Sequence, residues 1–185
     1  MKETLLKTLE AAPIIAAVRD KLFDKALKAP VDVIFLLGCD IATIGDRIRA
    51  AKKANKYIFI HIDLADGIGK DRSGIRFLAQ QGADGIISTK SALVKYAKEQ
   101  GLMTIQRFFA YDSHGVDSIE EVLGNTKPDI MEIMPGVIGK VIRRFSAGQI
   151  PLIAGGLVET KQEVTEALKW GALAVSTGKE ELWYE

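Results

Sequence analysis

The sequence predicts an α/β fold in which eight parallel strands, each followed by a helix, close into a barrel. Eight short apolar runs start roughly 18 to 26 residues apart, and the segments between them carry apolar residues at helical spacing. A doubly wound open sheet is the main alternative, but it usually has about five or six strands and a GxGxxG after the first one, which this chain lacks. We therefore expect a TIM-type (β/α)8 barrel that forms one compact domain over residues 1–185.

The predicted elements follow in order along the chain. Leu5, Leu6 and Leu9 recur at helical spacing ahead of Pro13, which predicts a helix over residues 2–12 that covers the bottom of the barrel. The predicted strands are residues 13–18, 31–38, 57–64, 83–89, 103–109, 129–136, 150–155 and 172–177. A truncated helix over residues 180–185 ends the chain. Because ~250 residues are typical of this fold, a chain of 185 residues requires short helices and short bottom loops.

Local signals delimit the helices between the strands. Thr160 and Glu163 predict a capping box, and Asp117 with Glu120 predicts a second one. Gly171 is expected to end the helix that Thr160 begins. The helices that precede strands 3, 4 and 5 are expected to end at Asn55, Gly82 and Gly101.

Composition and charge exclude several classes of protein. No apolar run approaches the ~20 residues of a membrane span, and the N-terminus carries acids unlike a signal peptide, so we expect a cytoplasmic protein without a membrane partner. The single cysteine, Cys39, excludes an internal disulfide and a multi-cysteine zinc site; we predict that it is a buried hydrophobic residue and expect no metal or cofactor. The net charge of +1 is not that of a basic nucleic-acid-binding domain, so any RNA contact must rest on a local patch.

Two glycine-containing strand ends predict a phosphate site. The segments IPLIAGG, from Ile150, and ALAVSTG, from Ala172, fall at strands 7 and 8, whose following loops commonly bind phosphate in this fold. Glycine lets backbone N–H groups come close to an anion. The predicted phosphate-binding residues are Gly155, Gly156, Ser176, Thr177 and Gly178.

Polar side chains at the other strand ends predict the rest of a ligand site, because the active face of this barrel lies at the C-terminal ends of its strands. The predicted ligand-lining residues are Arg19, Asp63, Lys90, Arg107 and Glu132. Asp63 could accept a hydrogen bond from a ligand hydroxyl or take a proton, and Lys90 could bind phosphate or form a Schiff base.

Two of these strand ends leave structural alternatives open. Arg107 and Glu132 could simply pair with neighbours inside the barrel mouth instead of binding a ligand. His61 shares a face of predicted strand 3 with Asp63, and we interpret it as a hydrogen-bonded core histidine. The loop over residues 65–73, which follows Asp63 and holds two glycines, is predicted to be a mobile lid.

Surface residues suggest where a macromolecule could bind. The RNA-binding candidates are Lys140, Arg143 and Arg144, and a second basic cluster is formed by Arg47, Arg49, Lys52, Lys53 and Lys56. The alternative for both clusters is a solvated helix face. A homo-oligomer is expected if Trp170, Trp183 and Tyr184 are exposed, whereas these rings could equally pack against the barrel's own edge.

The order and spacing of several segments resemble the glycerol-3-phosphate responsive antiterminator family, the glycerol uptake operon antiterminators. The segments are PIIAAVRD from Pro13, FLLGCDI from Phe35, HIDLADGIGKD from His61, DGIISTK from Asp84, IQRFFAYDS from Ile105, DIMEIMPG from Asp129, PLIAGGLV from Pro151 and ALAVSTG from Ala172. The resemblance implies a regulator that senses glycerol 3-phosphate and binds the leader of a glycerol-utilisation messenger RNA. It also implies that the five predicted phosphate-binding residues hold the ligand's phosphate.

The sequence supports one leading hypothesis and two alternatives. The leading hypothesis is a regulator without catalytic residues, in which glycerol 3-phosphate stabilises the state that binds leader mRNA. The first alternative is a triose- or sugar-phosphate isomerase or aldolase with Asp63 or Glu132 as base and Lys90 as electrophile. The second alternative is a barrel that binds a metabolite and has no RNA activity.

Overall fold

A computed structural model describes all 185 residues and contains a closed barrel of eight parallel strands. Each strand pairs with its neighbours in chain order, and the first strand pairs with the last, which closes the barrel. The fold prediction is thereby confirmed. The strands are β1 (Ile14–Val18), β2 (Val33–Leu36), β3 (Tyr57–His61), β4 (Gly85–Ser88), β5 (Met103–Phe109), β6 (Ile130–Met134), β7 (Leu152–Gly155) and β8 (Ala174–Thr177).

Short helices explain how 185 residues complete this fold. One helix precedes the barrel, one follows each of the first seven strands, and a single 3-10 turn, Glu180–Tyr184, replaces the eighth. No helix combines the length and hydropathy needed to cross a membrane. The helices are α1 (Lys2–Ala11), α2 (Phe23–Lys28), α3 (Ile44–Lys53), α4 (Arg72–Gln80), α5 (Ser91–Glu99), α6 (Ser113–Thr126), α7 (Gly139–Ser146) and α8 (Lys161–Lys169).

The barrel interior is apolar in its lower part. Leu5 and Leu9 of α1 are fully buried and pack against the inward-facing strand residues, so α1 closes the bottom of the barrel as predicted. Phe35 and Phe59 meet edge to face inside, with ring centroids 5.7 Å apart. A Cβ at Gly85 would lie 2.5 Å from the Phe59 ring, so this glycine leaves space for the aromatic layer. Polar side chains occupy only the layer above it.

The helix ends largely follow the local signals of the sequence. The capping box at the start of α8 is present: Glu163 N–H donates to Thr160 Oγ1 at 3.2 Å, and Thr160 N–H donates to Glu163 Oε2 at 3.0 Å. Gly171 directly follows Trp170, the C-cap residue of α8, and its backbone is left-handed, with a φ of 101°. Asn55, Gly82 and Gly101 also have positive φ after their helices, as predicted.

The second predicted capping box is wrong. Helix α6 begins one turn earlier, where the Asp112 carboxylate accepts a hydrogen bond from Gly115 N–H at 2.7 Å. Asp117 and Glu120 therefore lie inside the helix, three residues apart on one face. Both carboxylates bind Arg144 of α7 instead of capping α6.

The third strand is shorter than predicted. It ends at His61, and Ile62–Leu64 forms a 3-10 turn, so Asp63 does not lie on a strand face. Next, Ala65–Asp66 pairs in parallel with Cys39–Asp40, and Ile41 N–H donates to Asp66 O at 3.0 Å. The predicted lid, residues 65–73, is thus docked against the loop after β2. Cys39 is buried there, as expected for a small hydrophobic residue.

We predict that truncating Leu9 to alanine will reduce the free energy of unfolding by about 2–5 kcal/mol, because it leaves a cavity beneath the barrel's inner core. Urea denaturation monitored by circular dichroism measures this. Lys7→Ala on the exposed face of α1 is the matched control and should change stability by about 0.5 kcal/mol or less. Equal effects of the two substitutions would show that α1 does not seal the barrel.

Candidate functional site at the barrel mouth

A cavity of about 360 Å³ opens at the C-terminal ends of the strands. This is the face where barrels of this type carry their active sites. The loops after β7 and β8 supply six of its 12 lining residues, and β5 and β6 supply one residue each. The lining residues are Ala17, Leu37, Arg107, Met134, Gly156, Leu157, Val158, Glu159, Ser176, Thr177, Gly178 and Lys179.

Free backbone N–H groups are the main polar feature of this wall. The amides of Gly156, Leu157, Val158 and Gly178 donate to no backbone or side-chain acceptor in the protein. Gly156 and Leu157 are both left-handed, with φ of 72° and 59°, and this conformation is costly for a leucine. Runs of unpaired N–H groups in such turns form anion-binding concavities. The wall of the cavity therefore carries backbone donors of the kind that bind anions.

The structure brings four of the five predicted phosphate-binding residues to this cavity. Gly156, Ser176, Thr177 and Gly178 line it, whereas Gly155 does not. Thr177 Oγ1 donates to Val158 O at 2.8 Å, which ties the loop after β7 to the end of β8.

Gly155 has a different role from the one predicted. A Cβ at this position would lie 2.5 Å from both Glu132 Oε1 and Ser176 Oγ. Those two atoms are themselves 2.6 Å apart in a hydrogen bond. The missing side chain of Gly155 thus makes room for a buried polar contact between β6 and β8.

Arg107, Glu132 and Ser176 form one hydrogen-bonded chain across the barrel. Arg107 and Glu132 lie opposite each other on β5 and β6, and Arg107 Nε donates to Glu132 Oε2 at 2.6 Å. Ser176 Oγ donates to the other carboxylate oxygen. Glu132 has no exposed surface and does not line the cavity, whereas Arg107 does. Because the two Nη groups of Arg107 bind no other protein atom, Glu132 holds a guanidinium whose remaining donors are free for an anion.

Asp63 is held by three hydrogen bonds from the end of β4. Its carboxylate accepts from Ser88 Oγ at 2.6 Å, and from the N–H and Oγ1 of Thr89, both at 2.8 Å. Burial alone would raise the pKa of Asp63, but these donors outweigh burial and lower it from its usual value. Asp63 does not line the cavity. Its carboxylate instead anchors the turn after β3 to the end of β4.

The two remaining predicted ligand-lining residues are exposed cations outside the cavity wall. Arg19 follows β1, and its Nη1 would lie 3.8 Å from a Cβ on Gly38 in the neighbouring loop. Lys90 is the cap residue of α5, and its backbone N–H donates to Ser88 Oγ at 3.0 Å. Its ammonium group has no ion-pair partner and lies in solvent, an environment unlike the buried one that activates a Schiff-base lysine.

His61 is buried but not hydrogen-bonded, so its interpretation as a satisfied core histidine is wrong. Neither ring nitrogen has a hydrogen-bond partner, and the nearest carboxylate oxygen, Asp63 Oδ2, is 3.8 Å from Nε2. The pKa of His61 is lowered to about 4, mainly by burial; the charges of Arg107, Lys70 and Arg19 act in the same direction, and Asp63 opposes them. The imidazole is therefore neutral at physiological pH.

Two further cavity residues, Lys179 and Leu157, were not predicted from the sequence. Lys179 lines the cavity directly after Gly178, and its ammonium lies 3.6 Å from Glu159 Oε1 on the facing loop. Its position after the STG segment was a signal that could have been used. Leu157 offered no such signal, because its left-handed backbone is set by the loop and not by its residue type.

Two of the three predicted RNA-binding residues contact other side chains of the protein. Arg144 binds Asp117 at 2.7 Å and Glu120 at 2.9 Å, and the guanidinium of Arg143 stacks 5.7 Å from the Trp170 ring. Lys140 has no ion-pair partner. It lines a second cleft of about 360 Å³ between α6 and α7, together with residues that include Tyr111.

The second basic cluster does not form one free basic face. Arg47 binds Asp20 and Asp24, Arg49 binds Asp46, and Lys52 binds Asp84. Lys56 lies outside α3, and its buried ammonium donates to the carbonyl oxygens of Ala29 and Val31. Lys53 is the one exposed cation of the five without an ion-pair partner.

The aromatic residues near the C-terminus divide between core and surface. Trp183 is 2% exposed, and its Nε1 donates to Thr177 O at 2.9 Å, so this ring packs against its own barrel beneath the cavity loop. Trp170 is partly buried against α7, and a Cβ on Gly139 would lie 2.6 Å from it. Only Tyr184 is largely exposed.

Comparisons with known proteins relate the chain to one family. A sequence model described as "Glycerol-3-phosphate responsive antiterminator" matches residues 14–183. The uncharacterized protein YgcP of Escherichia coli (strain K12) is 37% identical over 182 residues, which are 97% of this chain and 95% of YgcP.

Two crystal structures are similar in both sequence and fold. The glycerol uptake operon antiterminator regulatory protein of Listeria monocytogenes is 32% identical, with a TM-score of 0.87 over 92% of this chain and 94% of that one. The glycerol uptake operon antiterminator-related protein of Thermotoga maritima is 35% identical, with a TM-score of 0.83 over 92% and 96%.

We predict that Gly155→Ala will lower the free energy of unfolding by about 1–3 kcal/mol, because its methyl group would overlap the Ser176–Glu132 hydrogen bond. Gly124→Ala is the matched control: nothing lies within 4 Å of its Cβ position in α6, and alanine should stabilise the helix by about 0.5–1 kcal/mol. Denaturant melts of both variants measure the difference. A neutral Gly155→Ala would contradict the role assigned to this glycine.

The pKa of His61 predicts a pH dependence of stability. Because the unfolded chain binds a proton on this imidazole near pH 6.5 and the folded chain only near pH 4, the contribution is fully present above pH 6.5. It is lost as the pH falls from about 6.5 to about 4. We expect His61→Leu to flatten the unfolding free energy over this window, measured by urea melts at several pH values. His114→Asn, at the chain's other histidine on the surface of α6, should leave the slope unchanged.

Proposed function

Because the chain belongs to the glycerol-3-phosphate responsive antiterminator family, we propose that it binds glycerol 3-phosphate in the barrel mouth and, when loaded, binds the leader mRNA of a glycerol-utilisation operon. The observation that carries the proposal is the group of free N–H donors from Gly156, Leu157, Val158 and Gly178 beside the guanidinium of Arg107. Oriented donors of this kind suit a phosphate ester.

Two cationic side chains and the free amides supply hydrogen-bond donors for an anion at the mouth. Arg107 and Lys179 line the cavity, and the partial positive charge of the free amides adds to theirs. Glu132 neutralises part of the Arg107 charge from behind, and Glu159 does the same for Lys179. A ligand phosphate would then be a second anionic partner for each of these cations. The cavity of about 360 Å³ also has room for a three-carbon backbone.

The same geometry gives less support to an isomerase or aldolase. A base must have a free basic atom on the reacting carbon, but Asp63 accepts three hydrogen bonds and Glu132 is buried between Arg107 and Ser176. Lys90 lies outside the cavity, in solvent. A cradle without an available base is what a sensor requires.

The rim of the mouth offers a surface for RNA. Phe109 and Tyr111 stack with ring centroids 5.4 Å apart, and Tyr111 is 81% exposed. Tyr111 shares the cleft between α6 and α7 with Lys140, and single-stranded RNA is bound through stacked bases and cationic side chains. Phe109 is the register partner of Met134, which lines the ligand cavity. The β5–β6 pair thus joins the ligand site to the proposed RNA surface, through which ligand binding would change RNA affinity.

We predict that 1 mM glycerol 3-phosphate will strengthen binding of a fluorescent leader RNA, measured by anisotropy. The Lys140→Ala, Arg143→Ala double variant should weaken RNA binding and reduce the slope of log affinity against log salt by about 1–1.5, the effect of losing two phosphate contacts to single-stranded RNA. Arg144 is kept because its removal would leave Asp117 and Glu120 unpaired. The control is Lys28→Ala with Lys53→Ala, which removes the same charge from α2 and α3.

Each result separates the hypotheses. Equal losses in the two double variants would exclude α7 as the RNA surface. An RNA affinity that is the same with and without glycerol 3-phosphate would contradict the regulatory proposal. A protein that binds no leader RNA at all would contradict it too. Proton NMR of glycerol 3-phosphate, dihydroxyacetone phosphate and glyceraldehyde 3-phosphate with the protein tests the enzyme alternative. New product signals that vanish in Asp63→Asn would favour it.

A further inference from the structure

The inward-facing layer above the apolar interior contains one polar side chain without a partner. Because alternate residues of a barrel strand face inward, His61 lies above Phe59, just as Arg107 lies above Ile105 and Ser176 above Ala174. Arg107 and Ser176 are joined through Glu132. His61, in the same layer, is 5% exposed, and both of its nitrogens lack a partner.

We propose that His61 determines ligand specificity in the barrel mouth by hydrogen-bonding a hydroxyl group of the bound polyol phosphate. This inference rests on the proposed function, since it assigns a residue to the same ligand site. The neutral imidazole has one N–H donor and one lone-pair acceptor. A hydroxyl group donates and accepts one hydrogen bond each, so it matches either nitrogen, whereas the phosphate is held by the amides and Arg107.

His61 does not itself line the cavity, but it lies in the same inward-facing layer as Arg107 and Ser176, which do. Arg107 lines the cavity and is the cation with the largest effect on the imidazole, followed by Lys70 and Arg19.

If residue 61 had only a structural role, an apolar side chain would suit the position better than histidine. A buried polar group without partners destabilises the folded state, and an apolar side chain of similar size removes that cost. Position 61 lies directly above the apolar layer that contains Phe59, so we expect leucine to pack there about as well as histidine does. A residue that lowers the stability of the free protein and raises affinity for the ligand is typical of binding sites.

The test compares His61→Leu and His61→Asn with the wild type by calorimetric titration of glycerol 3-phosphate and of inorganic phosphate. We expect His61→Leu to weaken glycerol 3-phosphate binding about 3- to 10-fold, the effect of one hydrogen bond, and to leave inorganic phosphate binding within about twofold. Its thermal midpoint should rise by about 2–4 °C. His61→Asn keeps a donor and an acceptor and should retain most of the affinity for glycerol 3-phosphate.

Ile87→Val is the matched packing control, since Ile87 is the register partner of His61 on β4 and carries no polar group. It should leave the ratio of the two affinities unchanged. An unchanged ratio in His61→Leu, with normal binding by the wild type, would overturn the role of His61 alone. A His61→Leu protein that is less stable or fails to fold would also overturn it. If the wild type binds neither ligand, the proposed function itself fails, and the role of His61 fails with it.

Discussion

A carboxylate with no exposed surface, Glu132, sets the architecture of the barrel mouth. A buried charge is tolerated only with close partners, and breaking such a pair typically costs about 3–5 kcal/mol. Arg107 on β5 and Ser176 on β8 supply those partners. Gly155 of β7 leaves the space in which the Ser176 hydroxyl meets the Glu132 carboxylate. The guanidinium is thereby fixed at the cavity, so the position of the one strand cation that lines it depends on a carboxylate that does not.

The walls of the site are built differently from its floor. The loops after β7 and β8 contribute backbone amides, held in place by Thr177 Oγ1 on Val158 O and by the Trp183 indole on Thr177 O. Phosphate recognition by backbone groups makes little use of side-chain identity, which suits an anion that carries most of its charge on three equivalent oxygens. In the proposed site, discrimination among phosphates would come from side chains in the inward-facing layer of the mouth, where His61 and Arg107 lie.

Under the proposed function, this division lets a fold that many phosphate-handling enzymes share serve a sensor. The cradle is the part that such barrels have in common, whereas catalysis requires an added base or electrophile at the reacting carbon. Here the candidates for those roles are used otherwise: Asp63 holds the start of α5 through Ser88 and Thr89, and Glu132 holds Arg107. Phe109 ends the strand that carries Arg107, and the exposed ring of Tyr111 stacks on it, so this strand connects the cavity to the surface.

The sequence by itself determined the fold, because apolar periodicity, eight similar units and capping residues such as Thr160 and Gly171 act locally and agree with one another. It also located the two loops of the cavity, since glycine and strand order are visible in one dimension. It could not find the end of β3, the role of Gly155 or the unpartnered state of His61. Each of these depends on residues that lie far apart in the chain, such as Asp63 with Ser88 and Glu132 with Ser176. Only tertiary structure decides which polar group finds a partner and which one remains free for a ligand.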